Sequence, residues 1–108
     1  MRASTDPGAV FYAAIVTPGF GTFVEYRSQT GANVYCGPLV SSSVPVYLKV
    51  VRAGNTFTAY SSTNGSTWQL ITGSTVNLSV SSILLDGLAV TSHATGVLST
   101  VTFDSVLP

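Results

Sequence analysis

The chain has 108 residues, the length of one domain, with four basic and four acidic side chains, 7% charged residues and a formal net charge of zero. Arg2, Arg27, Lys49 and Arg52 are too few and too dispersed to neutralise a nucleic-acid backbone or to hold a polybasic segment on an anionic membrane. A single cysteine, Cys36, excludes an intrachain disulfide and a cysteine-based zinc site, and a single histidine, His93, excludes a multi-histidine metal site within one chain.

The elements follow from alternation and turn residues. No stretch repeats apolar residues at i, i+3, i+4 and i+7, and Gly, Pro, Asn and Ser interrupt the chain at short intervals. Strands are expected at 9–16 (AVFYAAIV), 22–28 (TFVEYRS), 33–36 (NVYC) and 45–52 (PVYLKVVR). Further strands are expected at 55–61 (NTFTAYS), 67–72 (TWQLIT), 75–80 (TVNLSV), 86–92 (DGLAVTS) and 97–106 (VLSTVTFDSV). The turns are TPGFG, TGAN, RAGN, STNGS and HATG, with Asn64-Gly65 expected to supply the positive φ of a tight hairpin turn. Pro38 and Pro45 bracket LVSSSV as a loop or edge segment. Many short strands without helical periodicity indicate a single all-β domain over 1–108, a sandwich or a barrel.

Successive side chains of a strand point to opposite sides. Phe23, Glu25 and Arg27 therefore oppose Val24 and Tyr26, and Tyr47, Lys49 and Val51 oppose Val46, Leu48, Val50 and Arg52. Val97, Val101 and Phe103 share one side of the last strand. Glu25, Arg27, Tyr47 and Lys49 are expected to form one polar, aromatic face suited to contacting a ligand, a glycan above all, because charged groups beside an aromatic can orient hydroxyls. The alternative for that face is a solvated surface with weak cross-strand ion pairs.

Polar character comes from Ser, Thr and Asn rather than from charge, and mean hydropathy is +0.45. A surface with so little self-repulsion favours association, so a homo-oligomer is expected. No run reaches the roughly 18 apolar residues of a transmembrane helix. MRASTDPGAV lacks the apolar core of a signal peptide, so an exported parent would carry its address outside this chain.

PVYLKVVRAGNTFTAYSSTNGSTWQLI followed by GLAVTSHATGVLSTVTFDSV resembles the concanavalin A-like jelly-roll modules of bacterial secreted proteins, of the DUF1349 or β-xylosidase C-terminal-like type. MRASTDPGA and VTPGFGTFVEYR fit the same pattern, so the resemblance covers nearly the whole chain. The S-x-N-G-x-T-W turn alone is less specific, because it also resembles the Asp-box hairpins of sialidase-like propellers. The resemblance implies an antiparallel jelly-roll sandwich, an extracellular or cell-surface parent, and carbohydrate binding or structural support. It supplies no catalytic residues. Modules of this type continue upstream of RASTDPG, so it also implies that this chain is the C-terminal portion of a module and is completed by self-association.

Other chemistry is sparse. Tyr60 and Trp68 flank SSTNGST, either as stacking rings for a sugar or as packing for their own hairpin. Cys36 as nucleophile, His93 as base and Asp86 or Asp104 as orienter would be a hydrolase set assembled by oligomerisation, but nothing local links them. A lone cysteine in a β-domain otherwise serves as a small apolar side chain. Asp6, Asp86 and Asp104 with turn carbonyls are a weak calcium set, so no cofactor is expected. The sequons at Asn64 and Asn77 are accidents of a Ser/Thr-rich chain. The expected function is a non-catalytic carbohydrate-binding or structural module. The alternatives are a small oligomeric hydrolase using Cys36 and His93, or a self-assembling domain fragment.

Overall fold

Seven strands and no helix form among residues 1–107, the residues that the computed structural model describes. A first antiparallel sheet has the order β1-β2-β3, with β1 at Phe11–Thr17, β2 at Gly21–Arg27 and β3 at Tyr35–Cys36. The second, also antiparallel, contains β4 (Tyr47–Ala53), β5 (Thr56–Ser62), β6 (Gln69–Leu70) and β7 (Val76–Asn77). β4 lies along β5, and β6 and β7 pair with opposite ends of it, at Tyr60–Ser61 and Thr56–Phe57.

Turn chemistry sets both long hairpins. Pro18-Gly19 centres a turn closed by the Phe20 amide on the Thr17 carbonyl at 3.0 Å, with Gly19 at φ 85°, the combination a type II turn requires. In the second hairpin Ala53 faces Thr56 across Gly54-Asn55, and Gly54 at φ 63° takes the first central position of a two-residue turn. Arg52 Nε donates to the Gly54 carbonyl at 2.7 Å and holds that turn.

The inner faces meet in one core. Tyr12 and Val24 from the first sheet pack with Phe57 and Ala59 from the second and with Ile71 and Leu78. The Tyr12 and Phe57 rings lie 5.4 Å apart, tilted by 40°. Tyr12 Oη donates to the Ser74 carbonyl at 2.6 Å. Ser74 Oγ in turn donates to the Ala59 carbonyl at 3.1 Å and accepts from the Ala59 amide at 3.3 Å. Desolvation pushes the Tyr12 phenol up to about 12, outweighing the opposite effect of the bond to Ser74.

Segment 37–46 crosses between the sheets. Its Val40 exchanges two 2.8 Å bonds with Thr22, an edge rung on β2 between Pro38 and Pro45. Gly21, at φ 136°, allows that approach, since a Cβ there would run into the Val40 carbonyl oxygen.

The expected strands at 86–92 and 97–106 do not form. Both alternate, but neither finds a sheet edge to bond, and a strand without a ladder leaves its backbone to water. The expected runs at 33–36, 67–72 and 75–80 shrink to two-residue pairings.

Two outcomes test the core and the crossing. Tyr12→Phe should lose about 1 kcal/mol through its missing hydrogen bond. In the parent protein the folded phenol titrates above the unfolded one. The Tyr12 contribution is therefore complete below pH 10 and is lost as pH rises through about 12. Urea melts of both proteins at pH 7 to 12 should show that alkaline loss diminished in the variant. Gly21→Ala should cost about 2–3 kcal/mol in the same melts and detach Val40 from β2.

Candidate functional site

The outward side of the second sheet brings together residues far apart in the chain. In the β4–β5 register Lys49 faces Tyr60, which faces Leu70 on β6, while Tyr47 faces Ser62. Because opposed residues of an antiparallel pair share a side, Tyr47, Lys49, Val51, Thr58, Tyr60 and Leu70 lie together, opposite the buried Phe57 and Ala59. The Lys49 ammonium sits 4.4 Å from the Trp68 ring centre and 5.1 Å from that of Tyr60, close enough for cation–π attraction to both. Tyr47 is 45% exposed and lies against Gly65, whose missing side chain leaves room for the ring. Leu70 and Val51 extend the exposed apolar surface.

The loop between β5 and β6 holds these rings in place. Ser62 Oγ accepts from the amides of Asn64 at 3.2 Å and Gly65 at 2.9 Å and donates to Asn64 Oδ1 at 3.1 Å. Asn64 Oδ1 also accepts from the amides of Ser66 and Thr67, both at 2.8 Å. The expected tight turn is therefore corrected. Gly65 has positive φ at 75°, Asn64 does not, and the Asn64 side chain closes a longer loop with Trp68 at its end.

The four residues expected on one face divide between two sheets. Tyr47 and Lys49 are on β4, as described. Glu25 and Arg27 are on β2, on the outward side of the first sheet, and the two outward sides point away from the shared core. Arg27 is committed to architecture. Its Nε donates to the Ala32 carbonyl at 2.9 Å, its Nη1 donates to those of Pro7 and Ala9 at 2.9 and 3.1 Å, and its guanidinium lies 5.4 Å from the Phe11 ring centre. Tyr60 and Trp68, the rings that flank SSTNGST in the sequence, complete the Lys49 cluster instead, and the two-residue turn at Gly54-Asn55 sets the register that puts Tyr60 opposite Lys49.

The hydrolase set is not assembled by hydrogen bonds. Cys36 Sγ donates to Glu25 Oε1 at 3.5 Å. What desolvation this exposed thiol feels and the Glu25 carboxylate both hold it protonated, above its ordinary range, which opposes a thiolate nucleophile. The described bond of His93 is its backbone amide to Thr91 Oγ1, in an exposed turn, while Asp86 lines a cleft beside Met1. Among the described residues no three His, Cys, Asp or Glu side chains gather as a metal-binding group. Asp6 and Asp104 accept from neighbouring backbone amides.

Comparison with protein-family models, with curated proteins and with solved structures finds no match to this chain.

The loop's role can be read through Trp68, the only tryptophan. Asn64→Ala should lower stability by about 1–2 kcal/mol through its lost loop bonds. It should also shift Trp68 emission to longer wavelength and raise its quenching by iodide, as the ring leaves Lys49.

Proposed function

We propose that this chain is a non-catalytic carbohydrate-binding module of the concanavalin A-like jelly-roll class, working in an extracellular or cell-surface bacterial protein. The Lys49 ammonium held between the Tyr60 and Trp68 rings, with Tyr47 exposed beside them, carries this reading. A pyranose has apolar C–H faces and a rim of hydroxyls. Aromatic rings offer area to the first, and an ammonium offers charge-assisted hydrogen bonds to the second. The rings stand on paired strands and a bonded loop, so little ordering is needed on binding. An open sheet face suits a polysaccharide lying across it better than a small enclosed ligand. Stacking and hydrogen bonding of this kind need no cofactor. The jelly-roll class and the extracellular setting rest on the resemblance of the quoted segments. Self-association belongs to the same reading, because several faces on one assembly would raise avidity for a repeating polymer.

A glycan array should identify a binding polysaccharide, and Trp68 fluorescence should then titrate with its oligosaccharides. Tyr47→Ala and Trp68→Ala should each weaken binding about tenfold, the loss of roughly 1.4 kcal/mol from one stacking contact. Glu25→Gln, on the other sheet, should leave it unchanged. An empty array, or unaltered affinity in both aromatic variants, would defeat the reading. Ester hydrolysis abolished by Cys36→Ala or His93→Ala would restore the hydrolase alternative.

A further inference from the structure

Leu85 exchanges two 2.8 Å backbone bonds with Arg2, and the chain then leaves the sheet. Between there and residue 107 the described backbone–backbone bonding reduces to one contact, the Val97 amide on the Ala94 carbonyl at 3.2 Å. That contact closes a turn from Ala94 to Val97 in which Gly96 has φ 75°; just before it His93 has φ 58°, and the Thr91 and Ser92 hydroxyls accept from the His93 and Ala94 amides. The segment is thus an arm of two limbs with a built reversal between them. Alternation puts Leu88 and Val90 on one side of the first limb and Val97, Val101 and Phe103 on one side of the second. All five are between 46% and 58% exposed.

The same chain carries an edge able to receive such an arm. β2 bonds one side of β1. On the other side Tyr12 exchanges bonds with Met1, and beyond it the outward-pointing backbone groups of Ala14 and Val16 have no backbone partner among those described. The chain's own arm does not close that edge. Its base at Leu88 and Ala89 lies across a cleft of about 290 Å³ from Phe11 and Ala13.

The exposed area is of the size that a second copy would cover. The chain exposes 7402 Å², whereas a compact monomer of 11.2 kDa exposes about 5,700 Å². The excess, about 1,700 Å² per chain, makes about 3,400 Å² for two copies, within the range of roughly 2,000–5,000 Å² for obligate homodimers. Zero net charge adds no repulsion between copies.

We propose that residues 86–107 form an exchange arm that docks as a β-hairpin on the Ala13–Thr17 edge of β1 in a second copy, while that copy's arm docks reciprocally on the first. Because the exchange is reciprocal, the contact is two-fold and closes at the dimer, whereas one-way exchange from copy to copy would grow into a fibre. Backbone bonds from the partner's arm satisfy Ala14 and Val16. The apolar side of the arm, with Val101 and Phe103, covers the open margin of the core. The proposal specifies the self-association included in the functional reading and is independent of glycan binding.

Light scattering, native mass spectrometry and amide hydrogen exchange on the full 108-residue chain at micromolar concentration test it. The wild type should be a dimer with slowly exchanging amides at Ala14, Val16 and along both limbs. Val101→Lys combined with Phe103→Lys should raise the dimer dissociation constant at least a hundredfold. Protection at Ala14 and Val16 should fall, while the Tyr12 and Phe57 amides stay slow. Both altered side chains are exposed in the single chain, so the core should tolerate them, and wild-type exchange decides the matter should the variant misfold. A wild-type dimer with fast exchange at Ala14 and Val16, or one unchanged in the double variant, would place self-association on another surface and overturn the arm. A folded wild-type monomer would overturn both, whether its arm exchanges freely or is protected against its own β1.

Discussion

The hydroxyl of Tyr12 reaches from the first sheet to Ser74, in the link between β6 and β7, and the arrangement of the molecule depends on that contact. A phenol with no exposure must place its O–H on an acceptor or lose the free energy of desolvating it. The acceptor is the carbonyl of Ser74, 62 positions away, whose own hydroxyl holds both the amide and the carbonyl of Ala59. Ala59 lies in the middle of β5, the strand with which β4, β6 and β7 all pair. One side chain therefore fixes the first sheet against the central strand of the second. Its ring packs on Phe57, so the polar link and the apolar core occupy the same place. With the inner faces fixed in this way, the outer faces point in opposite directions, and the Lys49 cluster lies on the side away from β2.

That geometry explains which parts of the reading could be made from sequence. Alternation is local, so the sides of β2 and β4 were legible: Val24 is buried, and Tyr47 and Lys49 face outward. The turns at Pro18-Gly19 and Gly54-Asn55 were legible because their φ requirements select residue types. The sheet to which a strand belongs is not local. Glu25 and Lys49 share a side pattern, yet the crossing at 37–46 puts them on different sheets, and no property of either strand encodes that. The same limit explains 86–106, where the alternation is as regular as in β5 but a strand also needs a neighbour. The loop at Asn64 was misread for another reason. Asn-Gly favours a two-residue turn, but here the Asn64 side chain captures two amides further along and stabilises a wider loop.

The cations show how sparingly this chain uses charge. Each arginine donates to backbone carbonyls: Arg2 to Ser4 and Asp6, Arg27 to Pro7, Ala9 and Ala32, and Arg52 to Gly54. Arg2 and Arg27 also flank the Phe11 ring, at 5.8 and 5.4 Å. Guanidinium groups suit this work, since their fixed, forked donors can serve several carbonyls without a carboxylate partner. Lys49 differs. Its described contacts are the two aromatic faces, which attract the ammonium but use none of its three N–H donors in conventional hydrogen bonds. Those donors suit the oxygen-rich edge of a ligand, and the rings that hold the ammonium are also the surface on which such a ligand would lie.

The two proposed surfaces are mechanically independent, because they use different sheets. Arm exchange engages the β1 edge and the segment after Leu85. The ring cluster occupies the outward side of β4 and β5, with the shared core between them. A two-fold dimer joined through β1 would leave both ring clusters uncovered, one on each copy. A single open face on a sheet gives modest affinity, since it encloses little of a ligand and competes with water for every hydroxyl. Two such faces held at a fixed spacing make the second contact intramolecular, and the gain depends on whether a polymer can span both at once. Under the two proposals, exposed apolar area in the arm and exposed aromatic area on β4 and β5 would have different uses. A second copy of the chain would remove the first, and the second would stay open to a repeating glycan, whose length and stiffness would decide how tightly it is held.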